Sequence, residues 1–324
     1  MKTGLVLGKF MPIHKGHLEL IRFGQAHCDR LIVLVCATSR EPIPGPRRLG
    51  WVQEVLAGQA GIEVHYTDVE LPEANYSSRT VSQAWAAYLS EHFPEMSVIF
   101  TSEKYGDYVA EYMNISHQLF DQPRLRMPVS ATDIRNQPFR YWDFIPEPVR
   151  PYFVKKICLY GPESTGKSTL AAQMAAYFGT TFVPEAARDI LTTSLECTLE
   201  DIMTIARTQA AWIQTHLLSA HKLLFCDTDL LTTRVYSQYM FNRVPDFEPW
   251  IIAANQYDLY LFLDTDVPYV QDGTRLGETT RPGLRDAFLM ELQNSQASYT
   301  IITGNWEQRF EEAVRVVEEK VSEW

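Results

Sequence analysis

The chain has 324 residues, a formal net charge of −11 and 46% hydrophobic residues. This length suggests about two domains, the ordinary composition excludes wholesale disorder, and the acidic balance argues against a general nucleic-acid binder. No apolar run approaches the roughly 18 residues of a membrane-spanning helix, and the N-terminus meets Gly, Lys and Pro too soon for a signal peptide. The five cysteines form no CxxC pair, so we expect reduced, buried thiols in a cytoplasmic protein.

The first half of the chain alternates short apolar runs with amphipathic stretches. Strands are predicted at TGLVLGKF, RLIVLVCA and MSVIFTSE, and helices at LELIRFGQAH, SQAWAAYLSEHF and GDYVAEYMN. Strands that alternate with helices are typical of a parallel sheet covered on both faces. The predicted class of this half is therefore α/β.

The segment GKFMPIHKGH joins the first predicted strand to the first helix. His14 and His17 are three residues apart, so one helical turn can direct both rings to one point, and Lys9 adds a cation. The carboxyl end of a parallel strand and the free amides of a helix start both favour phosphate. The segment thus suits a polyphosphate whose growing charge it would stabilise, with a metal pair or two surface histidines as the alternative. Its other candidate ATP contacts are Gly8, Phe10 and Gly16.

Two further segments of this half carry candidate phosphate ligands. In SATDIR, Ser130 and Thr132 can cap a helix while they donate to phosphate, and Arg135 can make a forked contact. Taken alone, SATDIR is also typical of an ordinary capped helix start. The loop SREPIPGPRRLGW could receive phosphate through three arginines, Arg40, Arg47 and Arg48.

The proline-rich segment IPEPVRPYF, residues 145–153, marks a domain boundary. Its three prolines cannot continue a helix or a central strand, so we expect domains at residues 1–150 and 151–324. The second half then repeats the order of strand, Gly-containing turn and helix in KKICLYG, PESTGK and STLAAQMAAYF. Further strands are predicted at HKLLFCDTD, DLYLFLDTDV and ASYTIITGN, and helices at LEDIMTIARTQAAWIQTHLL and NWEQRFEEAVRVVEE. A second doubly wound parallel sheet follows from this pattern.

Gly161 to Ser168 matches G-x-x-x-x-G-K-[ST] without a mismatch, between a predicted strand and a predicted helix. The loop amides would cradle phosphates, Lys167 would reach the terminal phosphates, and the Ser168 hydroxyl would bind Mg²⁺. The candidate ATP contacts of the loop are Gly161, Glu163, Ser164, Thr165, Gly166, Ser168 and Thr169.

Acidic residues follow two other predicted strands of this half. Asp227 and Asp229 end LLFCDTD, where Asp227 would join Ser168 on Mg²⁺ and the other carboxylate would orient or deprotonate a hydroxyl. Capping of a helix or turn is the alternative for both. Glu185 and Arg188 lie in FVPEAARD, which is similar to a PE-x-AR segment that faces the substrate in P-loop kinases. This resemblance implies that Glu185 could hold ribose hydroxyls or act as base. An exposed ion pair is the alternative for these two residues.

The polar segment DGTRLGETTRPGLRD, residues 272–286, carries Arg275, Arg281 and Arg285. It is similar to the mobile lid of nucleoside and nucleotide kinases, which excludes water and brings arginines to the transferred phosphoryl group. A plain solvated loop is the alternative.

Together the two halves resemble the bifunctional NadR family over roughly residues 3–150 and 155–320. HKGH and SATDIR are similar to the HxGH and (I/V)S-x-T-x-I-R signatures of the nucleotidyltransferase superfamily. SREPIPGPRRLGW, TSEKYG and FRYWDFIP resemble the NadR-type nicotinamide mononucleotide (NMN) adenylyltransferases. The resemblance implies a Rossmann-like HxGH domain followed by a P-loop kinase domain. It also places Trp85 where an aromatic stacks on nicotinamide, or else in the core, and adds Tyr105 to the substrate contacts.

The resemblance implies two reactions. The kinase half would phosphorylate nicotinamide riboside with ATP and Mg²⁺, and the first half would join NMN to ATP, giving NAD and pyrophosphate. Three alternatives stay open: a non-catalytic NMN-sensing first half, a switch that contacts a membrane transporter for the riboside, and action on pantetheine phosphate or another nucleotide. We expect a homo-oligomer without nucleic-acid partners or membrane insertion. Some family members begin with a repressor helix-turn-helix, and a first strand near residue 3 leads us to expect none here.

Overall fold

The computed structural model describes residues 1–72, 78–191, 196–271 and 276–324. They divide into two compact units, Met1–Arg150 and Pro151–Trp324. Unit 1 contains strands β1 (Thr3–Gly8), β2 (Arg30–Cys36), β3 (Ile62–Thr67), β4 (Met96–Thr101) and β5 (Ser116–Leu119), and helices α1 (Lys15–Ala26), α2 (Gly45–Val55), α3 (Arg79–His92), α4 (Tyr105–Met113) and α5 (Ala131–Asn136). Two short 3-10 helices, Trp142–Phe144 and Glu147–Tyr152, follow.

The sheet of unit 1 is parallel throughout, in the order β3-β2-β1-β4-β5. The chain runs outward from β1 to β3 and then returns to β4 on the other side of β1. The strand order therefore reverses between β1 and β4, and a crevice opens at their carboxyl ends. The segments after those two strands, the start of α1 and the start of α4, meet at this crevice.

Unit 2 has a second parallel sheet, in the order β10-β9-β6-β8-β7. Its strands are β6 (Lys155–Tyr160), β7 (Phe182–Val183), β8 (Leu223–Asp227), β9 (Leu259–Leu263) and β10 (Tyr299–Ile302). Its helices are α6 (Lys167–Tyr177), α7 (Ala187–Ile190), α8 (Leu199–Leu217), α9 (Leu230–Phe241), α10 (Pro249–Ala254), α11 (Arg281–Asn294) and α12 (Trp306–Glu323). β8 and β9 are buried along their whole length, which explains their continuous apolar sequences.

The predicted α/β class, with two parallel sheets, is confirmed. One predicted segment is wrong in extent: the polar loop of residues 272–286 ends where α11 begins, so Arg281 and Arg285 are helical. Arg275 lies outside the described residues. Within the described ranges, no helix has the length and hydropathy needed to cross a membrane.

Candidate active sites

A cavity of about 660 Å³ lies in unit 1, and residues from the ends of β1 and β4 contribute to its wall. The structure brings most candidate residues of this half together there. The wall contains Gly8, Lys9, Phe10, His14, Gly16, His17, Trp85, Tyr105, Ser130, Thr132 and Arg135.

The two histidines begin helix α1 and cap it. His14 is the N-cap residue, and its Nδ1 accepts a hydrogen bond from the Gly16 amide at 3.1 Å. The His14 amide donates to His17 Nδ1 at 3.3 Å, and the ring centroids are 3.8 Å apart. Because each Nδ1 accepts an amide hydrogen, a neutral ring carries its own hydrogen on Nε2. The cap therefore leaves two Nε2–H donors for phosphate oxygens.

Burial sets the charge of this histidine pair. Burial, followed by the positive charge of Arg124, lowers the pKa of His14 to about 4. Burial also holds the pKa of His17 well below its usual range, with further lowering by His14 and Arg124. Both rings are therefore neutral at pH 7. Neutral rings can act on phosphate oxygens only as hydrogen-bond donors and not as cations. Arg124 lies in the cavity wall, and no motif marks it in the sequence.

An ion network around the buried Glu41 side chain lies at the end of β1. Glu41 lies 2.8 Å from Lys9 Nζ and 2.5 Å from Arg48 Nη2. Arg48 is fully buried and donates to the Lys9 carbonyl at 2.6 Å. This corrects the prediction that Arg48 receives phosphate, because both of its terminal nitrogens donate to protein oxygens and the residue lies outside the described cavity wall. Arg40 and Arg47 are also absent from the described wall of the cavity.

SATDIR forms a capped helix that is tied to the histidine loop. Ser130 caps α5, and its hydroxyl oxygen and amide exchange hydrogen bonds with Asp133 at 3.1 and 2.9 Å. Arg135 donates to the Met11 carbonyl and to Thr132 Oγ1, the latter at 3.0 Å. Since Met11 lies inside GKFMPIHKGH, this guanidinium joins the two motifs directly.

A second cavity, of about 540 Å³, lies in unit 2 at the P-loop. Its wall gathers most of the candidate kinase residues. They are Glu163, Ser164, Thr165, Gly166, Lys167, Ser168, Thr169, Glu185 and Arg188.

The P-loop folds tightly around Lys167. Lys167 Nζ donates to the carbonyls of Gly161 and Pro162, both at 2.9 Å. Gly161 has φ +132°, and a Cβ there would lie 2.7 Å from the Leu263 carbonyl oxygen. Gly166 has φ +89° and precedes α6. Both positions need glycine, since other residues rarely adopt these φ values.

Asp227 is a buried carboxylate, and one of its two oxygens has no hydrogen-bond partner among the described residues. It is 1% exposed, and among the described residues its Oδ1 has no hydrogen-bond partner. Burial and then the negative charge of Glu185 raise its pKa to about 6, against the opposing effects of Lys167 and Ser168. An idle carboxylate oxygen next to the P-loop serine and lysine matches the donor set that a hard divalent cation prefers.

Asp229 has a structural role, which corrects the prediction that it is catalytic. It caps α9, where its Oδ1 accepts from the Thr232 amide at 2.9 Å. Its Oδ2 accepts from the Tyr260 hydroxyl at 2.8 Å, and the residue is 1% exposed. Both carboxylate oxygens of Asp229 are thus occupied, in contrast to Asp227, although neither residue belongs to the described cavity wall.

Glu185 and Arg188 face the cavity as an ion pair, with Glu185 Oε2 3.0 Å from Arg188 Nε. The other predicted arginines bind the protein. Arg281 is buried and donates to the Val267 and Ser164 carbonyls. Arg285 forms a bidentate salt bridge with Asp264, with nitrogen–oxygen distances of 2.6 and 2.7 Å. Neither arginine belongs to the described cavity wall, which corrects their assignment as lid arginines at the phosphates.

Two buried supports of this site were not predicted. Gln209 of α8 accepts from the Ala186 amide at 2.8 Å and holds the segment that carries Glu185. Arg309 of α12 is 1% exposed and donates to the Thr165 carbonyl of the P-loop at 3.0 Å. The sequence does not distinguish either residue, because each is one of several polar residues on its amphipathic helix and most such residues lie at the surface.

Comparison with known proteins gives consistent matches. A family model described as an AAA domain matches residues 156–309. The trifunctional NAD biosynthesis/regulator protein NadR of Escherichia coli strain K12 is 31% identical over 343 residues, which cover 99% of this chain and 83% of that protein. The nicotinamide-nucleotide adenylyltransferase of Pyrococcus abyssi is 28% identical over 166 residues, covering 48% of this chain and 84% of that protein.

Solved structures show the same fold over the whole chain. A NadR protein in complex with NR aligns with a TM-score of 0.82 at 21% identity, covering 99% of this chain and 96% of that one. A NadR protein in complex with NAD and AMP-PNP gives the same TM-score and coverage at 22% identity.

Proposed function

The chain belongs to the NadR family of NAD biosynthesis proteins, and we propose that it converts nicotinamide riboside to NAD in two ATP-dependent steps. Unit 2 transfers the γ-phosphoryl group of ATP to the 5′-hydroxyl of the riboside, giving NMN and ADP. In unit 1 the NMN phosphate attacks the α-phosphorus of a second ATP, giving NAD and pyrophosphate. The observation that carries this proposal is one chain with two cavities, each walled by its own phosphate-binding motif.

In unit 1 the protein supplies position and hydrogen bonds and no nucleophile of its own. The Nε2–H groups of His14 and His17 donate to the phosphate oxygens, on which charge grows as pyrophosphate leaves. Lys9 and Arg135 add positive charge at the same wall. Holding NMN and ATP in line supplies the rest of the acceleration.

In unit 2 the P-loop amides bind the ATP phosphates, and Lys167 exchanges its carbonyl partners for the terminal phosphates. Glu185 accepts the proton of the riboside hydroxyl, because it lies in the cavity wall and Asp229 is occupied by its cap. Arg188 steadies Glu185 and approaches the riboside from the same side.

Mg²⁺ fits this second site. Ser168 and Asp227 would hold the ion, which would neutralise charge on the β- and γ-phosphates. The described residues contain no group of three His, Cys, Asp or Glu side chains that could hold a metal. The cytoplasmic location, the homo-oligomer and the transporter contact stay predictions.

The proposal is tested by incubating the protein with Mg²⁺, ATP and nicotinamide riboside and following products by mass spectrometry. NMN should appear first and NAD after a lag, with one ADP and one pyrophosphate for each NAD. NMN without NAD would favour the sensing alternative. Turnover of phosphopantetheine in preference to NMN would overturn the substrate assignment.

We expect Asp227→Asn to lower riboside phosphorylation by at least about 100-fold without loss of stability. The raised pKa means that the Asp227 charge lowers the free energy of unfolding at pH 8 by on the order of 2–3 kcal/mol. Between about pH 4 and 6 the folded protein keeps a proton that the unfolded chain has lost, so stability falls as pH rises through that window. In Asp227→Asn the free energy of unfolding should therefore fall less between pH 5 and pH 8 than in the unsubstituted protein, as measured by urea unfolding at the two pH values.

Asp229→Ala is the matched control, two residues away. It removes a helix cap and the partner of the Tyr260 hydroxyl, so we expect a loss of about 1–3 kcal/mol. Riboside phosphorylation per folded molecule should stay within about threefold of the unsubstituted protein. The opposite pattern, with an inactive Asp229→Ala and an active Asp227→Asn, would reverse the two assignments.

A further inference from the structure

Three polar side chains, one in the wall of the unit 1 cavity and two behind it, form a hydrogen-bonded relay that the proposed chemistry does not use. Thr101 Oγ1 lies 2.9 Å from His117 Nε2, and His117 Nδ1 lies 2.7 Å from Asp107 Oδ1. Thr101 is 1% exposed, whereas the Asp107 side chain is 62% exposed. The relay therefore runs from the buried end of β4, through β5, to the surface of α4.

The same threonine hydroxyl closes the turn that follows β4. It donates to the Glu103 carbonyl at 2.6 Å and accepts from the Glu103 amide at 3.3 Å. Thr101, Ser102, Glu103 and Tyr105 all belong to the cavity wall. Loss of the hydroxyl would thus release a piece of the wall without removing a side chain that binds phosphate.

Gly106 leaves just enough space for the relay. A Cβ at this position would lie 2.4 Å from His117 Nε2 and 2.7 Å from Thr101 Oγ1. The TSEKYG segment therefore encodes the threonine, the turn and the required glycine. Its histidine partner, His117, comes from β5, a strand whose polar sequence does not predict it.

The turn leads into Tyr105, which lies beside the residue expected to contact the nicotinamide ring. The phosphate donors come from α1, α5 and the loop after β1. Tyr105, at the end of the turn, packs with Trp85 against one hydrophobic cluster, and Trp85 is the candidate contact of the nicotinamide ring. No atom of the relay has a hydrogen bond to His14, His17 or Arg135 among those described.

We propose that the Thr101–His117–Asp107 relay positions the Thr101–Glu103 turn for binding of the mononucleotide, and so sets the affinity of unit 1 for NMN while leaving ATP binding unaffected. The three are positioning residues, since they act through the turn. This inference rests on the proposed adenylyl transfer in unit 1.

The test compares Thr101→Val, which removes the hydroxyl at nearly constant shape, with Thr101→Ser, which restores it. Asp107→Ala is paired with Glu111→Ala, an exposed carboxylate one turn further along α4. We expect the KM for NMN to rise about tenfold in Thr101→Val, which loses the hydrogen bonds that close the turn, and about threefold in Asp107→Ala, which loses only the outer hydrogen bond of the relay. The KM for ATP and kcat should stay within about twofold, and Thr101→Ser and Glu111→Ala should match the unsubstituted protein.

Two results would overturn the relay: an unchanged KM for NMN in both test variants, or an equal rise in the KM of both substrates. If Thr101→Val does not fold, the surface variant Asp107→Ala still decides. Failure of the proposed function is recognised separately, as absence of NAD formation from NMN by the unsubstituted protein. In that case NMN binding is measured by calorimetric titration. Weaker NMN binding by the two test variants than by the unsubstituted protein supports the relay, whereas equal binding, or no binding by any of the proteins, contradicts it.

Discussion

Lys167→Ala is expected to lower phosphorylation of nicotinamide riboside by at least about 1,000-fold, while NAD formation from supplied NMN stays within about twofold. Lys167 is buried at the P-loop and has two backbone carbonyls as its partners, so it can exchange them for phosphate oxygens. Without it, the charge on the transferred phosphoryl group lacks its nearest protein cation. Separate assays with riboside and with NMN, each with Mg²⁺ and ATP, give the two rates.

Lys320→Ala serves as the control, because Lys320 lies on the exposed side of α12 and pairs with Glu323. It should leave both rates unchanged. Retention of more than about a tenth of riboside phosphorylation by Lys167→Ala would contradict the kinase assignment. Loss of both reactions in that variant would show that the two units do not act independently.

His17→Ala is expected to lower NAD formation from NMN and ATP by about 100- to 1,000-fold and to leave riboside phosphorylation intact, so that NMN accumulates. The substitution removes one of two Nε2–H donors and also the acceptor for the His14 amide. Because burial keeps the pKa of this ring well below 7, its protonation should contribute no pH dependence to the rate between pH 6.5 and 8.

His27→Ala is the matched control, since His27 follows the same helix at its other end and contacts the Phe23 carbonyl. It should form NAD at the unsubstituted rate. A fully active His17→Ala variant would contradict the assignment of His17 as a catalytic hydrogen-bond donor. Progress curves of NMN and NAD distinguish these outcomes.

The sequence predicted the central strands and both phosphate motifs because these carry local signals. β8 and β9 are apolar throughout since both faces are buried, and the P-loop glycines and lysine stand within eight residues of chain. β3 and β5 were missed because they are only partly buried and therefore contain polar residues such as Glu63 and His117. Their pairing with β2 and β4 is visible only in three dimensions.

Polar residues were harder to assign than strands, because a side chain's role depends on partners far away in sequence. Asp227 and Asp229 cannot be told apart in LLFCDTD. In the structure, Asp227 has an oxygen without a partner among the described residues, whereas Asp229 accepts a hydrogen bond from the Tyr260 hydroxyl. Arg48 resembles a phosphate ligand until Glu41 and the Lys9 carbonyl are found beside it. Buried contacts of this kind decide which charges are available for chemistry.

The central claim is that one chain holds two separate ATP sites that act in sequence, and mixing the two inactive variants tests it most directly. Lys167→Ala and His17→Ala are combined in equal amounts with Mg²⁺, ATP and nicotinamide riboside, and NAD is measured by mass spectrometry. Each variant alone should form NAD at least about 100-fold more slowly than the mixture, and the mixture should yield NAD after a lag in which free NMN appears. No NAD from the mixture, although each variant keeps its own half-reaction, would contradict the claim.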